Sequence, residues 1–242
     1  MIGCLMIHGY TGGPKEIEPL LQYLKKHTDW RIEVPVLTGH GEILELDEVT
    51  YDVWLKDAEN AYLRLKEECD TVYLIGFSMG GMIAAYLAAH HDVEKLVLLA
   101  PARKYLSFKY LRPYIRQMIR DRFKGKLEEN KVYLHYKNKI ETVPFKANVE
   151  FMKLVNETKK HLDEITSPVF IAQGKKDGLV PYETVYALDK EIGSHDKEVV
   201  IFEESNHMIC LGDDSEVLNR LVLEFLTEEF EESDKNEKSA EN

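Results

Sequence analysis

The sequence has little cysteine, no excess of positive charge and no long apolar run, and each shortage removes a class of protein. Its 3 cysteines, Cys4, Cys69 and Cys210, lie far apart with no C-x-x-C pair. That excludes a disulfide framework and a zinc ribbon, and it points to a reduced, cytoplasmic setting. With 31 Lys plus Arg against 43 Asp plus Glu, the net charge is -12, the wrong sign for a general nucleic-acid binder. No stretch approaches the roughly 18 apolar residues that a membrane span requires. The apolar opening from Met1 to Ile7 has no basic leader and stops at His8-Gly9, so it reads as a strand rather than a signal segment. Neither H-E-x-x-H nor a P-loop occurs, and there is no internal repeat.

What is present is an ordinary globular composition: 242 residues, 44% hydrophobic and 31% charged, enough to build a full core. The charge is segregated. Residues 103–160 carry 16 basic and 6 acidic side chains, a net of +10, whereas residues 228–242 carry 7 acidic and 2 basic, a net of -5. The basic stretch reads as an insert in an otherwise acidic domain. The end of the chain, 230–242, has almost nothing to bury and reads as a disordered acidic tail.

Apolar runs of strand length recur near 2–7, 31–36, 71–76, 94–99, 168–173 and 198–203. Helical patterns lie between them near 14–27, 50–68, 79–91, 181–193 and 214–229. Continuous apolar strands alternating with helices predict an α/β fold, a parallel sheet covered on both faces. The basic insert interrupts this rhythm. Within it Phe108, Leu111, Ile115, Met118 and Ile119 share one helical face, and Arg112, Arg116 and Arg120 form a ridge on another.

Gly76-Phe77-Ser78-Met79-Gly80 is a G-x-S-x-G motif. Alone it is a weak signal. Here it follows the apolar run Val72 to Ile75 and precedes the helical pattern Met82 to Ala88, the strand–sharp turn–helix setting that exposes a nucleophilic serine. A serine hydroxyl needs a base, and the base needs an orienting partner. Asp177 follows the strand at 168–173, and His207 follows the strand at 198–203. In a parallel sheet both reach the carboxyl edge that carries Ser78, in the chain order Ser…Asp…His. The loop His8-Gly9-Tyr10-Thr11-Gly12-Gly13 follows the first strand and can offer the Tyr10 N–H to an oxyanion, with the Met79 N–H as second donor. His8 and His40 read as structural histidines, and His90-His91 as a solvated helix end.

Together these residues resemble the α/β-hydrolase superfamily, and more narrowly its small bacterial carboxylesterases and monoacylglycerol lipases. The resemblance rests on His8-Gly9-Tyr10-Thr11-Gly12, Gly39-His40-Gly41, Gly76 to Gly81, Asp177 with Val180-Pro181, and Ser205-Asn206-His207. It implies a core of 1–102 and 161–229, a basic cap at 103–160, and about six mostly parallel strands in the order 2-1-3-4-5-6. Many larger members carry two strands before the first one here. The resemblance implies Ser78 as nucleophile, His207 as base, Asp177 as its orienter, and the amides of Tyr10 and Met79 as oxyanion hole. No metal or cofactor is implied. In the cap, Phe108, Leu111, Tyr114, Ile115, Met118, Phe145 and Phe151 are candidate walls of an acyl pocket, and its positive charge is a candidate contact for anionic lipid. The implied activity is hydrolysis of short-to-medium acyl esters, monoacylglycerols among them. A thioesterase or lysophospholipase, and a slow-turnover ligand receptor, remain open alternatives. Oligomeric state is not legible.

Overall fold

The computed structural model describes residues 1–104 and 143–228. The cap residues Phe108, Leu111, Tyr114, Ile115 and Met118, the arginine ridge and the acidic tail lie outside the described residues.

Six strands form one parallel sheet: β1 (Ile2–Ile7), β2 (Arg31–Glu33), β3 (Thr71–Phe77), β4 (Lys95–Leu99), β5 (Val169–Gly174) and β6 (Lys197–Phe202). Their order is β2-β1-β3-β4-β5-β6, as the family resemblance implies. Leu5 pairs with Leu74, Leu74 with Leu96, and Leu98 with Ile171. Side chains of a strand alternate between faces, and here both faces are apolar. Leu5, Ile7, Leu74, Leu96, Leu98 and Ile171 belong to one core, whereas Cys4, Met6, Tyr73, Ile75, Val97, Leu99 and Phe170 belong to the other. Burial on both sides is why these strands read as unbroken apolar runs.

The helices divide between the two faces. α1 (Glu18–His27) and α6 (Ser215–Thr227) cover one side, through Leu20, Leu24, Leu218, Val222 and Phe225. α2 (Tyr51–Glu68), α3 (Met79–His90), α4 (Phe145–Thr158) and α5 (Thr184–Glu191) cover the other. α2 buries Trp54, Ala58, Ala61, Tyr62 and Leu65, a single stripe at helical spacing. α3 is buried almost all round, because α4 and the 3-10 segment Lys159–Glu164 pack over it. α4 is the described end of the basic stretch, and it sends Ala147, Phe151, Leu154 and Val155 into the same core as the sheet helices. Arg103 grips Glu191 of α5 through two bonds of 2.6 Å and so ties the entry to that stretch onto the core.

Three boundaries depart from the sequence reading, the helix expected near 181–193 running only Thr184–Glu191. β2 ends at Glu33, not near 36. Pro35 has no N–H to give a ladder, and β2 is the edge strand, where a proline is tolerated but ends the pairing. The first helix is split into a 3-10 turn, Pro14–Glu16, and α1, which restarts with Pro19 in its first turn.

Candidate active site

Ser78 sits between β3 and α3 with φ 54° and ψ -114°. A non-glycine residue there stores about 1–3 kcal/mol of strain. Its surroundings hold it in place. Its N–H donates to Leu99 O (2.8 Å), and its carbonyl accepts from Gly81 (3.1 Å) and Ala102 (3.0 Å). The flanking glycines are required by contact. A Cβ on Gly76 would lie 2.2 Å from Gly80 O, and one on Gly80 would lie 2.2 Å from Ile7 O. The sharp turn therefore works only if strand, helix and the end of β1 touch through bare backbone. Met79 opens α3, so its N–H has no intrahelical acceptor and faces outward with the positive end of the helix dipole.

His207 joins Ser78 to Asp177. Its Nε2 is 3.0 Å from Ser78 Oγ and its Nδ1 is 2.6 Å from Asp177 Oδ2. Ser78 is 4% exposed, the His207 side chain 10% and the Asp177 side chain 0%. A carboxylate this buried must have its oxygens satisfied. Asp177 Oδ1 accepts the N–H groups of Leu179 (2.7 Å) and Val180 (2.8 Å), and Oδ2 also accepts from Gln173 Nε2 (2.7 Å). The two loops are pressed together at Gly174, where a Cβ would stand 2.4 Å from Asn206 O. Lys176 N–H donates to Ser205 O across the same seam. Ser205 Oγ is anchored on Asp214 (2.6 Å), and Met208 N–H on Asn206 Oδ1 (2.9 Å).

The loop after β1 lies beside this relay. His8 Nε2 accepts the Leu37 N–H (3.1 Å), which puts the ring proton on Nδ1, toward Gly9 O (2.9 Å). His8 is thus a neutral spacer between two loops, and burial holds its pKa below the ordinary histidine value. Burial, with His8 beside it, pushes His40 down to about 4. Tyr10 is fixed by its ring, which stacks on Phe151 (4.7 Å, 5°) and meets Trp54 (5.9 Å) and His40 (6.1 Å) edge-on. Its hydroxyl is 3.4 Å from Asn148 Oδ1.

Ser78, Met79, Tyr10, Asp177 and His207 all stand at the carboxyl edge of the sheet. Phe151 is 2% exposed and packs against Tyr10, whereas Phe145 opens α4 at 83% exposed. Sequence reasoning missed Gln173 and Trp54. Gln173 is a polar residue four positions before Asp177, a signal too common to single it out. Arranged in this way, His207 can draw the proton from Ser78 while Asp177 holds the imidazole tautomer. A competing thiol is inert: Cys210 is fully buried, and burial, with the Glu16 charge adding, pushes it up to about 12. Among the described residues one group, His90, His161 and Glu164, brings possible metal-ligand atoms within 4.8 Å of one another. It lies by the far end of α3 from Ser78.

A family model described as serine aminopeptidase, S33, matches residues 4–214. The thermostable monoacylglycerol lipase of Bacillus sp. (strain H-257) is 30% identical over 233 residues, spanning 93% of this chain and 90% of that protein. A carboxylesterase of Bacillus subtilis (strain 168) is 25% identical over 226 residues, 92% and 91% of the two chains. Among solved structures, one from a study of the metagenome-derived lipolytic enzymes LipS and LipT aligns with a TM-score of 0.75 at 22% identity, covering 93% of both chains. The monoacylglycerol lipase of Paleococcus ferrophilus aligns at 0.68 and 18%, again over 93% of both. At these identities the structural likeness speaks for the fold.

Proposed function

The chain belongs to the α/β-hydrolase family whose model is described as serine aminopeptidase, S33, and is an esterase- and monoacylglycerol-lipase-like hydrolase; from that premise we propose that it cleaves short-to-medium acyl esters, monoacylglycerols among them, through an acyl-enzyme on Ser78. The observation that carries this is His207 bridging Ser78 Oγ and Asp177 Oδ2 at 3.0 and 2.6 Å.

In the first half-reaction Ser78 Oγ attacks the ester carbonyl as His207 Nε2 takes its proton. The oxyanion is held by the N–H groups of Tyr10 and Met79. Collapse breaks the acyl–oxygen bond, and the proton on His207 passes to the departing alcohol. In the second half-reaction water gives a proton to His207 and attacks the acyl-enzyme, which releases the acid and restores Ser78. Asp177 stays ionised throughout. Its four hydrogen bonds keep it fixed, and its buried charge offsets the imidazolium that forms each time. The proposed acyl pocket lies toward the basic stretch; its candidates Phe108, Leu111 and Ile115 fall outside the described residues, and Phe145, 83% exposed at the start of α4, does not wall it. The serine aminopeptidase description covers amide cleavage, but both sequence relatives reported above are named for ester substrates, which supports the ester.

The test is hydrolysis of p-nitrophenyl esters from acetate to palmitate, wild type beside Ser78→Ala. Turnover peaking at an intermediate chain length and falling by at least about 10⁴-fold in the folded variant is expected. Near wild-type turnover in Ser78→Ala refutes the assignment.

A further inference from the structure

Glu16 has no part in the relay, yet its carboxylate is built into the loop that follows β1. The Gly9 N–H donates to Glu16 Oε2 at 2.9 Å. A Cβ on Gly12 would stand 2.0 Å from the Glu16 carboxyl carbon and 2.1 Å from either oxygen, and one on Gly9 would stand 3.1 Å from Oε2. Gly12 has no positive φ, so what a Cβ there would meet is the Glu16 carboxylate, which it would displace from its place beside the loop. Between these two contacts lie Tyr10 and Thr11. Thr11 has φ 60°, a left-handed conformation that a β-branched residue adopts only when its surroundings hold it there. Glu16 itself closes the 3-10 turn, donating its N–H to Gly13 O (3.0 Å), so its side chain starts from a fixed point. The Tyr10 ring is clamped by Phe151; Glu16 accepts from the backbone before the Tyr10–Thr11 pair, at Gly9, and lies against Gly12 after it.

We propose that Glu16 is a positioning residue for this loop: its carboxylate holds the Gly9–Gly12 turn so that the Tyr10 N–H aims at the oxyanion formed above Ser78. The proposal rests on the acyl-enzyme reading above. The function is geometric. A negative charge on the flank of an anion-binding loop opposes the oxyanion through space, so what Glu16 contributes is an acceptor of the right length rather than its charge. An amide of that length serves in its place, and a side chain without an acceptor does not.

The test uses p-nitrophenyl butyrate with wild type, Glu16→Ala, Glu16→Gln, Gly12→Ala and the double variant Gly12→Ala/Glu16→Ala. Thermal unfolding and affinity for an alkyl trifluoromethyl ketone, which forms a tetrahedral oxyanion on the serine, are measured on each. Glu16→Ala is expected to lower kcat by about 10–100-fold, less than outright loss of an oxyanion donor, with KM within about 3-fold. Ketone affinity should fall in step with kcat/KM. Glu16→Gln should recover kcat to within about 5-fold of wild type. Gly12→Ala should lower kcat in wild type but add little to Glu16→Ala, because the group it collides with is gone. The proposal is overturned if folded Glu16→Ala keeps kcat within about 2-fold, or if ketone affinity stays unchanged while kcat falls. Additive effects of Gly12→Ala and Glu16→Ala overturn it as well. Should Glu16→Ala fail to fold, Glu16→Gln and Gly12→Ala decide: wild-type ketone affinity in Gly12→Ala refutes it. Ser78-dependent turnover untouched by Glu16→Ala sinks this proposal alone, whereas turnover that survives Ser78→Ala sinks the hydrolase reading beneath it.

Discussion

Lowering the pH should loosen this fold through His40, by an amount that follows from its burial. His40 is 7% exposed, with its ring tilted against His8 and edge-on to Tyr10 and Trp54. Its Nε2 is buried with no hydrogen-bond partner among the described residues, so a proton added there would have no acceptor. Burial first, then the neighbouring His8, pushes its pKa down to about 4 from the ordinary 6.5. The unfolded chain therefore binds a proton near pH 6.5 that the folded chain refuses until about pH 4, and stability must fall as pH drops through that window. Working the linkage between about pH 7 and pH 5 gives a loss of about 2 kcal/mol from this residue alone. That is a sizeable part of the roughly 5–15 kcal/mol that holds a typical domain together. His8 shifts in the same direction for the same reason and adds to the loss. The assay is urea unfolding at the two pH values, wild type beside His40→Gln, which cannot titrate. The variant should lose about 2 kcal/mol less than wild type, since titrating groups distant from His40 cancel in the comparison, whereas the touching His8 is coupled to it. Equal losses to within about 0.5 kcal/mol, or an NMR titration placing His40 near its ordinary value, would refute the reasoning.

Two further outcomes follow from the geometry. Gln173→Leu removes one N–H from Asp177 Oδ2, the oxygen that also accepts from His207; kcat should fall about 10-fold with KM within about 2-fold, and unchanged kcat would show that the backbone N–H groups suffice. Gly80→Ala drives a Cβ into Ile7 O at 2.2 Å and His8 O at 2.5 Å, so it should cost at least about 3 kcal/mol of stability and most of the turnover. Gly13→Ala, whose nearest non-neighbouring atom lies at 3.7 Å, is its benign control, and similar melting temperatures for the two would refute the steric argument.

The two-sided burial of the sheet was legible because each strand is a continuous apolar run, as expected of a parallel sheet covered by helices on both faces, whereas the strand order followed from the family resemblance and not from the apolar runs. Ser78, Asp177 and His207 could be singled out for a related reason. Each follows a strand directly, and parallel strands deliver their ends to one edge whatever the length of chain between them. Ser78 and His207 are 129 residues apart and still within 3.0 Å. The 3-10 break before Pro19 and the early end of β2 at Pro35 were local prolines under-weighted against the hydrophobic pattern.

Other features exist only once the layers have packed. The clamp on Tyr10 joins α2 and α4 through Trp54, Phe151 and Asn148, and no periodicity says at what angle two helices will cross above a loop. The His8 tautomer is set by Leu37 N–H, the acidic partner of Gly9 by Glu16, and the fourth bond to Asp177 by Gln173. These are single polar contacts between ordinary residue types. The sequence determined which backbone edges carry the chemistry, because periodicity and turn residues act locally. The tertiary structure decided how those groups are held, because a hydrogen bond's partner is chosen by distance in space and not by separation along the chain.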